Sequence, residues 1–407
     1  MFGGTRRGRA LALGALIVVA AGVAAGVVAV SQSDSGSESA PRATVAIGAV
    51  LSLTGGGNVY GPQQRRAVRL AVAQVNAAGG VNGARLRVVV LDDRSDPAQG
   101  AADMRRLIRK DGVVAIIGPT LSDVAVTADP VANGLQTPVL AVSNTKRGIV
   151  GNCPYPCSWI WRDSLGEAVA VPANITDYAL HFHPSTAVVM HTADDVLGSD
   201  EASIARSSFA ANRIRVVADI TLPRSGSVSA GVRRAVAANP DVIFVASTFG
   251  AVAAEAIREA RATGFKGAFL GSNTMNSAAT TKAAGAAGKG TRSGAAWYPG
   301  NDFPANADFV AAYRQAYREA PDQFAAQAYV GVQILVTAMS SAKLGVSTET
   351  IAAQRQALQN ALGDVALTTA LGPFRFTPEH DVSQIVWVLA MDGREGHDLV
   401  GFCSPGC

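Results

Sequence analysis

Residues 44–93, TVAIGAVLSLTGGGNVYGPQQRRAVRLAVAQVNAAGGVNGARLRVVVLDD, contain the pattern that decides the fold. An apolar run is followed by a glycine-containing loop, a helix and a second apolar run. Pro62 stands in the first turn of the predicted helix, and Gly79 and Gly80 stand at its end, where these residue types are favoured. Two nearly all-apolar strands joined by a helix predict a parallel sheet that is covered on both faces.

The same alternation of strand and helix continues to Ser143, and it begins again after Ser164. The further predicted strands are VVAIIG and PVLAVS in the first unit, and TAVVMHT, RVVADI, DVIFVAS and GAFLGS in the second. A helical block over 306–362 follows, and GPFRFTP and SQIVWVLAMDG are predicted to close the chain as a hairpin-like pair of strands. No low-complexity linker separates the units, so we expect two α/β lobes with a cleft between them.

Length and charge limit the classes of protein that fit. A chain of 407 residues suits about two domains of roughly 100 to 200 residues each. Hydrophobic residues make up 48% and charged residues 16%, which favours a packed globular body over disorder. The first 43 residues hold four of the 35 basic and two of the 31 acidic residues, which leaves 31 and 29 for the rest. This balance, without a basic stripe, predicts no nucleic-acid partner.

The N-terminal segment predicts export from the cytoplasm. Three arginines, Arg6, Arg7 and Arg9, precede an apolar stretch over 10–30, and the polar sequence SQSDSGSESAPR follows. The stretch is longer than a typical signal core and long enough to cross a bilayer. A cleaved signal peptide and an uncleaved membrane anchor are therefore both open, and residues 1–43 are assigned to one of them plus a polar linker.

The four cysteines form two short motifs, CPYPC and CSPGC. They are Cys153, Cys157, Cys403 and Cys407. Outside the cytoplasm an even number of cysteines predicts disulfides, and three connectivities are possible. Two local loops are the simplest pattern because each pair is already close in sequence. A zinc site is disfavoured because three residues, rather than the usual two, separate the cysteines of each pair.

The spacing of the glycines argues against a nucleotide cofactor. Counted from Gly55, the third glycine of a dinucleotide-binding loop would fall on Tyr60. Counted from Gly56, the second would fall on Asn58. The phosphate loop of nucleotide hydrolases fails as well, because Pro62 stands where the lysine is required. No serine has glycines two residues before and after it, so the nucleophile elbow is absent too. We therefore predict no cofactor, no metal and no enzymatic activity.

The remaining candidates are hydroxyl and amide side chains at the ends of predicted strands. Ligands of parallel sheets bind beyond the carboxyl ends of the strands, where loops lead into helix N-termini. Small hydroxyls beside free N–H groups at such a terminus suit a carboxylate or another polar group. The candidates are Ser122, Ser143 and Thr145 in the first lobe, and Thr248 and Asn273 in the second.

Several stretches resemble one known family. They are residues 45–99, VAIGAVLSLTGGGNVYGPQQRRAVRLAVAQVNAAGGVNGARLRVVVLDDRSDPAQ, followed by VVAIIGP, PDVIFVAS, GFKGAFLGS and AYREAPDQFAAQAYVGVQIL. From Thr44 to about Gly393 the chain is similar to the branched-chain amino acid type of ABC-transporter solute-binding protein. The resemblance implies a type I periplasmic-binding fold, in which two doubly wound parallel-sheet lobes are joined by three hinge crossovers.

The resemblance also implies how the chain is divided between the lobes. We expect crossings near 161–164, 295–299 and 371–374. The first lobe is then formed by 44–162, 297–371 and 391–407, and the second lobe by 163–296 and 372–390. Such lobes close over a small ligand by hinge motion and deliver it to a membrane permease. We expect a monomer.

Site residues follow from the family one by one. Tyr60 matches an aromatic residue that covers the ligand, and Ser122 matches a hydroxyl on the ligand carboxylate. Ser143 and Thr145 match the loop that holds carboxylate and ammonium. Phe249 matches an aromatic residue of the second lobe.

Two departures from the family concern the ligand. Leu197 precedes Gly198 where amino-acid binders have an aromatic residue, and Asn273 stands where they have an acid. A desolvated ammonium without a carboxylate partner is costly, and these departures argue against an ordinary aliphatic amino acid. Lys146 and Arg147 have two interpretations. They could favour an anionic ligand, or they could be solvated surface charges.

Two functions are open at this point. One is an extracytoplasmic binding protein that captures a small polar ligand, amino-acid-like or a carboxylate or amide, for an ABC importer. The other is the ligand-sensing module of a signalling complex, held at the membrane by an uncleaved anchor over 10–30.

Overall fold

The computed structural model describes residues 43–404, so the apolar stretch over 10–30 lies outside it. The strands are β1 (Thr44–Leu51), β2 (Arg85–Asp92), β3 (Ala115–Ile117), β4 (Val139–Ala141), β5 (Ile160–Arg162), β6 (Thr186–Thr192), β7 (Arg215–Leu222), β8 (Val242–Ala246), β9 (Ala268–Gly271), β10 (Arg292–Ala295), β11 (Ala366–Thr369), β12 (Gly372–Arg375), β13 (Val386–Met391) and β14 (His397–Cys403). The helices are α1 (Gly61–Ala77), α2 (Pro97–Arg109), α3 (Ser122–Gly134), α4 (Glu167–Phe182), α5 (Val196–Ala211), α6 (Ser229–Ala237), α7 (Gly250–Ala262), α8 (Ala278–Ala284), α9 (Pro304–Tyr317), α10 (Gln323–Ser341) and α11 (Ile351–Leu362).

The first sheet has the order β2-β1-β3-β4-β5, and all its strands are parallel. Alternate residues of β1 point to opposite faces, as strand geometry requires. Ile47, Ala49 and Leu51 pack with α1 and α10, whereas Val50 packs with α2 and α3. Both faces are buried, which explains why the strand sequences are nearly all apolar.

The second sheet has the order β14-β13-β10-β9-β8-β6-β7. Strands β6 to β10 are parallel, and separate hydrophobic clusters cover the two faces of this sheet, as in the first sheet. Strand β13 runs antiparallel to β10, and β14 runs antiparallel to β13. The predicted parallel sheets are confirmed, with an antiparallel pair added at one edge of the second.

The C-terminal part differs from the sequence prediction. The GPFR segment, β12, pairs with β11 and not with β13, and β13 pairs with β14. Phe374 and Phe376 belong to the hydrophobic core of the first lobe, and the chain joins the second sheet only at Val386. The assignment of 372–390 to the second lobe therefore needs correction at its start. The assignment of 391–407 to the first lobe needs correction because His397–Cys403 lies in the second sheet.

Short polar contacts define where helices begin. The Asp96 carboxylate accepts a hydrogen bond from Gln99 N at 2.7 Å and caps α2, and Pro97 is the first residue of the helix. The Asp195 carboxylate caps α5 through Gly198 N at 2.9 Å. This second cap explains why α5 begins at Val196.

The predicted disulfide within CPYPC is confirmed. Cys153 and Cys157 are bonded, with their Cα atoms 6.3 Å apart. Cys403 is also disulfide-bonded. Cys407 lies outside the described residues, so the predicted pairing within CSPGC stays a prediction.

One helix within residues 43–404, α10, is as long and apolar as a membrane span. Most of its residues are buried, and it packs against α1 and β3 in the core of the first lobe. Burial of this kind is typical of the central helix of a globular lobe.

Substitution of Gly61 tests how closely the glycine-containing loop is packed. An added Cβ at Gly61 would lie 2.1 Å from the Ser52 carbonyl oxygen, whereas one at Gly134 would meet nothing within 4 Å. We expect Gly61→Ala to lower the free energy of unfolding by about 1–3 kcal/mol, because backbone must move to relieve the overlap. Urea denaturation measures the change, with Gly134→Ala as the control. Equal stability of the two variants would contradict the prediction.

Candidate functional site

The loop between β1 and α1 is held by two carboxylates at the end of β2. Asp92 accepts hydrogen bonds from Leu53 N at 3.0 Å and from Thr54 N and Oγ1 at 3.2 and 2.8 Å. Asp93 accepts from Ser52 Oγ at 2.7 Å. The N–H groups of Leu53 and Thr54 therefore donate to a protein carboxylate, which fixes the course of the loop.

Tyr60 connects the two lobes. Its side chain is buried, and its hydroxyl donates to the Thr248 carbonyl at 2.7 Å and lies 3.3 Å from Thr274 Oγ1. The ring packs against Phe324, with centroids 4.5 Å apart. Burial raises the pKa of the Tyr60 hydroxyl, so it remains a neutral donor. The structure thus places Tyr60 between the lobes, where the family resemblance put a covering aromatic residue.

The three hydroxyls predicted in the first lobe have different surroundings. Ser143 Oγ accepts from Gln64 Nε2 at 2.8 Å and donates to the Thr120 carbonyl at 2.6 Å. Thr145 Oγ1 accepts from Asn273 Nδ2 at 3.3 Å. Ser122 Oγ, at the first residue of α3, is buried and has no hydrogen-bond partner among the described residues.

The second lobe supplies the opposite wall. Thr248 donates to the Asp195 carboxylate from its N–H at 2.7 Å and from its hydroxyl at 2.6 Å. Asn273 N donates to Glu167 Oε1 at 3.0 Å. Leu197 follows the first residue of α5 and turns its side chain toward the first lobe.

A small cavity lies where these elements meet. Its volume is about 10 Å³, which is room for about one water molecule. The predicted residues that line it are Tyr60, Ser122, Ser143, Leu197, Thr248 and Asn273, and the others are Thr120, Leu121, Thr274 and Phe324. The lobes are therefore closed in this structure, and a ligand larger than water enters only when they separate.

Two predicted residues lie outside the lining. Thr145 is covered by its contact with Asn273, and the Phe249 ring packs against Gly56 of the first lobe and under Arg224. Phe249 is the residue before α7, and its side chain is buried. Phe249 thus contributes to contact between the lobes and does not line the closed cavity, so its role in ligand binding stays a prediction.

Further contacts join the closed lobes at the mouth of the cleft. Asp123 in the first turn of α3 accepts from Val196 N at 3.4 Å and Leu197 N at 3.3 Å, at the N-terminus of α5. Arg147 donates to Asp200 from Nε at 2.8 Å and from its backbone N at 3.0 Å. These contacts favour closure because they pair charges with complementary partners across the lobes.

The basic pair that raised the alternative of an anionic ligand lies outside the cavity. Arg147 is paired with Asp200, and Lys146 Nζ is exposed and donates to the Arg147 carbonyl at 2.9 Å. Both side chains behave as surface charges.

The sequence prediction did not include three residues that lie near the cavity. Phe324 is the second residue of α10, and its contact with Tyr60 depends on long-range packing. Glu167 and Glu201 are fully buried. Glu201 follows the predicted residue Leu197 by four positions on α5, so helix periodicity places both on one face. This spacing of four residues from Leu197 is the feature of the sequence that could have identified Glu201.

No group of three or more His, Cys, Asp or Glu side chains within the described chain is arranged to hold a metal ion.

A family model described as periplasmic binding protein matches residues 44–396. The chain belongs to the periplasmic binding protein family. The Leu/Ile/Val-binding protein homolog 2 of Brucella abortus is 27% identical over 384 residues, covering 88% of this chain and 92% of the relative.

Two solved structures share the fold. The leucine-binding protein LivK of Thermotoga maritima has a TM-score of 0.79 and 20% identity, over 89% of this chain and 99% of that one. A solute-binding protein of an ABC transporter from R. palustris, in complex with benzoate, has a TM-score of 0.78 and 22% identity, over 89% and 97%. The predicted two-lobed fold of type I periplasmic binding proteins is confirmed.

Substitution of Gly56 tests the contact between the two lobes. A Cβ added at Gly56 would lie 2.7 Å from the Phe249 ring. We expect Gly56→Ala to hold the lobes apart, and small-angle X-ray scattering to give a larger radius of gyration than for the wild type. Gly134→Ala is the control, and circular dichroism verifies that both variants are folded. An unchanged radius would show that the loop yields without opening the cleft.

Proposed function

We propose that this protein is an extracytoplasmic solute-binding protein of an ABC importer. It captures a small polar organic ligand between its two lobes and has no catalytic step. The family membership, the relatives that bind amino acids and the neighbour that binds benzoate support this function.

The observation that carries the proposal is the Ser122 hydroxyl. It is buried at the N-terminus of α3, lines the cavity between the lobes and has no hydrogen-bond partner among the described residues. A helix N-terminus presents free N–H groups and a partial positive charge, which together favour an anion. A buried hydroxyl without a partner is costly, and a ligand oxygen removes that cost.

These features favour a ligand with a carboxylate. One structural neighbour is named as a leucine-binding protein, and the other is in complex with benzoate. The carboxylate is the only polar group that leucine and benzoate share. The Ser122 hydroxyl and the first N–H groups of α3 would hold the carboxylate. Tyr60 and Phe324 would cover the rest of the molecule.

The partner and location follow from the proposed role. A closed, loaded form delivers its ligand to a membrane permease. The segment over 10–30 exports the protein, either as a cleaved signal or as an anchor, and the protein works as a monomer. The alternative of a sensing module rests on an uncleaved anchor outside the described residues, and the mass of the mature N-terminus distinguishes an intact Met1 from a cleaved chain.

The function is tested by isothermal titration calorimetry against a metabolite panel that includes leucine, isoleucine and benzoate. Binding of at least one small carboxylate supports the proposal. A purified protein that binds none of the panel but converts a substrate would show that the proposal is wrong.

Ser122 gives a sharper test. We expect Ser122→Ala to weaken binding of a carboxylate ligand roughly 10- to 100-fold, the effect of removing one hydrogen bond to a charged group. Ser208→Ala is the matched control, because that buried hydroxyl donates to the Ile204 carbonyl at 2.8 Å away from the cleft. Equal affinities for the two variants would remove Ser122 from the site.

A further inference from the structure

Arg162 lies where the chain leaves the first lobe, and its side chain is buried. It is the last residue of β5, and α4 of the second lobe begins at Glu167. The residue is 5% exposed. A guanidinium group that is removed from water needs acceptors for its N–H groups. The acceptors of Arg162 therefore identify the segments that this cation holds in place.

One side of the guanidinium faces the segment through which the chain returns to the second lobe before β13. Nε donates to Asp381 Oδ1 at 2.9 Å, and Nη2 donates to Asp381 Oδ2. The backbone N–H of Arg162 donates to the His380 carbonyl at 2.9 Å. The His380 ring stacks on Trp161, with centroids 3.7 Å apart. Two of the segments that run between the lobes are thus fastened to each other beside β5.

The other side of the guanidinium faces the loop that follows β4. Nη1 donates to the Asn144 carbonyl at 3.3 Å and to the Lys146 carbonyl at 3.0 Å. These two carbonyls flank Thr145 in the sequence. A planar guanidinium can donate to a carboxylate on one side and to carbonyls on the other, whereas a lysine ammonium is a compact group that cannot span both.

The residue between these two carbonyls makes contacts across the cleft. The Thr145 carbonyl accepts from Glu167 N, the first N–H group of α4, at 2.9 Å. Thr145 Oγ1 accepts from Asn273 Nδ2 of the second lobe at 3.3 Å. Peptide units are planar and turn only about the bonds to their Cα atoms. Fixing the carbonyls of Asn144 and Lys146 therefore restricts the direction of the Thr145 carbonyl as well.

We propose that Arg162 is a positioning residue for ligand capture. It holds the loop over 143–147 in the orientation that the second lobe meets when the lobes close, and Asp381 fixes the direction of its guanidinium. Ser143 of the same loop lines the cavity. A loop that is fixed in advance loses less conformational entropy on closure, so closure over a ligand becomes more favourable. This inference rests on the proposed function, in which closure captures the ligand.

Arg355 provides a matched control for a purely structural role. It is 7% exposed, and it donates to the Val113 carbonyl from Nε at 3.0 Å and to the Ile108 carbonyl from Nη2 at 2.9 Å. It belongs to α11 and does not line the cavity between the lobes. Replacement of either arginine by lysine keeps the charge and removes the planar donor group. Both variants should lose stability, but only Arg162→Lys should affect the cleft.

Hydrogen exchange of the Glu167 amide in the unliganded protein is the first measurement. This N–H donates to the Thr145 carbonyl only while the lobes are closed. We expect Arg162→Lys to speed its exchange about tenfold relative to Arg355→Lys, each corrected for its own global stability, as loss of about one hydrogen bond does. Mass spectrometry of overlapping peptides over 163–170 measures the rate. Equal rates in the two variants would overturn the positioning role.

Ligand affinity is the second measurement, made by calorimetry with leucine, isoleucine and benzoate as probes. We expect Arg162→Lys to weaken any probe that binds about tenfold, and Arg355→Lys to stay within about twofold of the wild type. Stopped-flow kinetics should show faster dissociation of the probe and little change in association, because the loop acts after the ligand has entered the open cleft.

The outcomes separate the two proposals. Equal affinities of Arg162→Lys and Arg355→Lys would overturn the positioning role and leave the proposed function intact. A wild type that binds none of the probes or the wider metabolite panel would overturn the proposed function. In that case the exchange of the Glu167 amide still decides whether Arg162 positions the loop for closure.

Asp381→Asn is a milder variant that tests the same role even where Arg162→Lys does not fold. It removes the ion pair and keeps the arginine. We expect about a threefold loss of affinity and faster exchange of the Glu167 amide. Asp177→Asn is its control, because Asp177 pairs with the buried Arg292 of the second lobe and does not line the cavity. Equal effects of the two variants on amide exchange would overturn the part assigned to Asp381.

A double-mutant cycle shows whether the two residues act through one contact. In the Arg162→Lys background, Asp381→Asn should cause little further loss of affinity, because residues that share a contact are not additive. Fully additive losses would show that Asp381 and Arg162 act independently, and would overturn the proposed arrangement.

Discussion

The Asp92 carboxylate is the interaction on which the placement of the cleft residues depends. It collects three donors from Leu53 and Thr54 as the chain leaves β1, and so turns the glycine-containing loop across the end of the sheet. That turn brings Gly61 against the Ser52 carbonyl and starts α1. Without this turn Tyr60 would not reach the second lobe, and the closed cleft would lose its buried hydrogen bond to the Thr248 carbonyl.

Local patterns were sufficient for most of the fold. The run over 186–192 was predicted with the observed bounds, because an apolar strand between a proline-containing turn and a helix cap has few alternatives. The pairing of the C-terminal strands was not predicted correctly, because strand pairing depends on contacts between residues far apart in sequence. Phe374 has an apolar pattern that fits either lobe, and only the tight turn at Ala370 and Leu371 returns β12 onto β11. Likewise, nothing local in His397–Cys403 specifies β13 as its neighbour.

The site residues that could be predicted are those whose position follows from the topology of the parallel sheets. Ser122 and Asn273 follow strand ends, and the carboxyl edge of a parallel sheet brings such residues together whatever the details of packing. Phe249 also follows a strand end, but its ring packs against Gly56 and Arg224, and such contacts between distant segments are not evident from the sequence. Phe324 and Glu201 lie on helices, so their positions depend on how those helices pack across the lobes.

Contacts between the lobes link ligand binding to closure. Asp123 of α3 accepts hydrogen bonds from the N-terminus of α5, and Arg147 donates to Asp200. The Tyr60 hydroxyl adds a buried hydrogen bond to the Thr248 carbonyl. These contacts form only when the lobes meet, so they favour the closed state with or without a ligand. A ligand shifts the hinge equilibrium further only through its differential affinity for the closed state, which it gains by contacting residues of both lobes around the cavity.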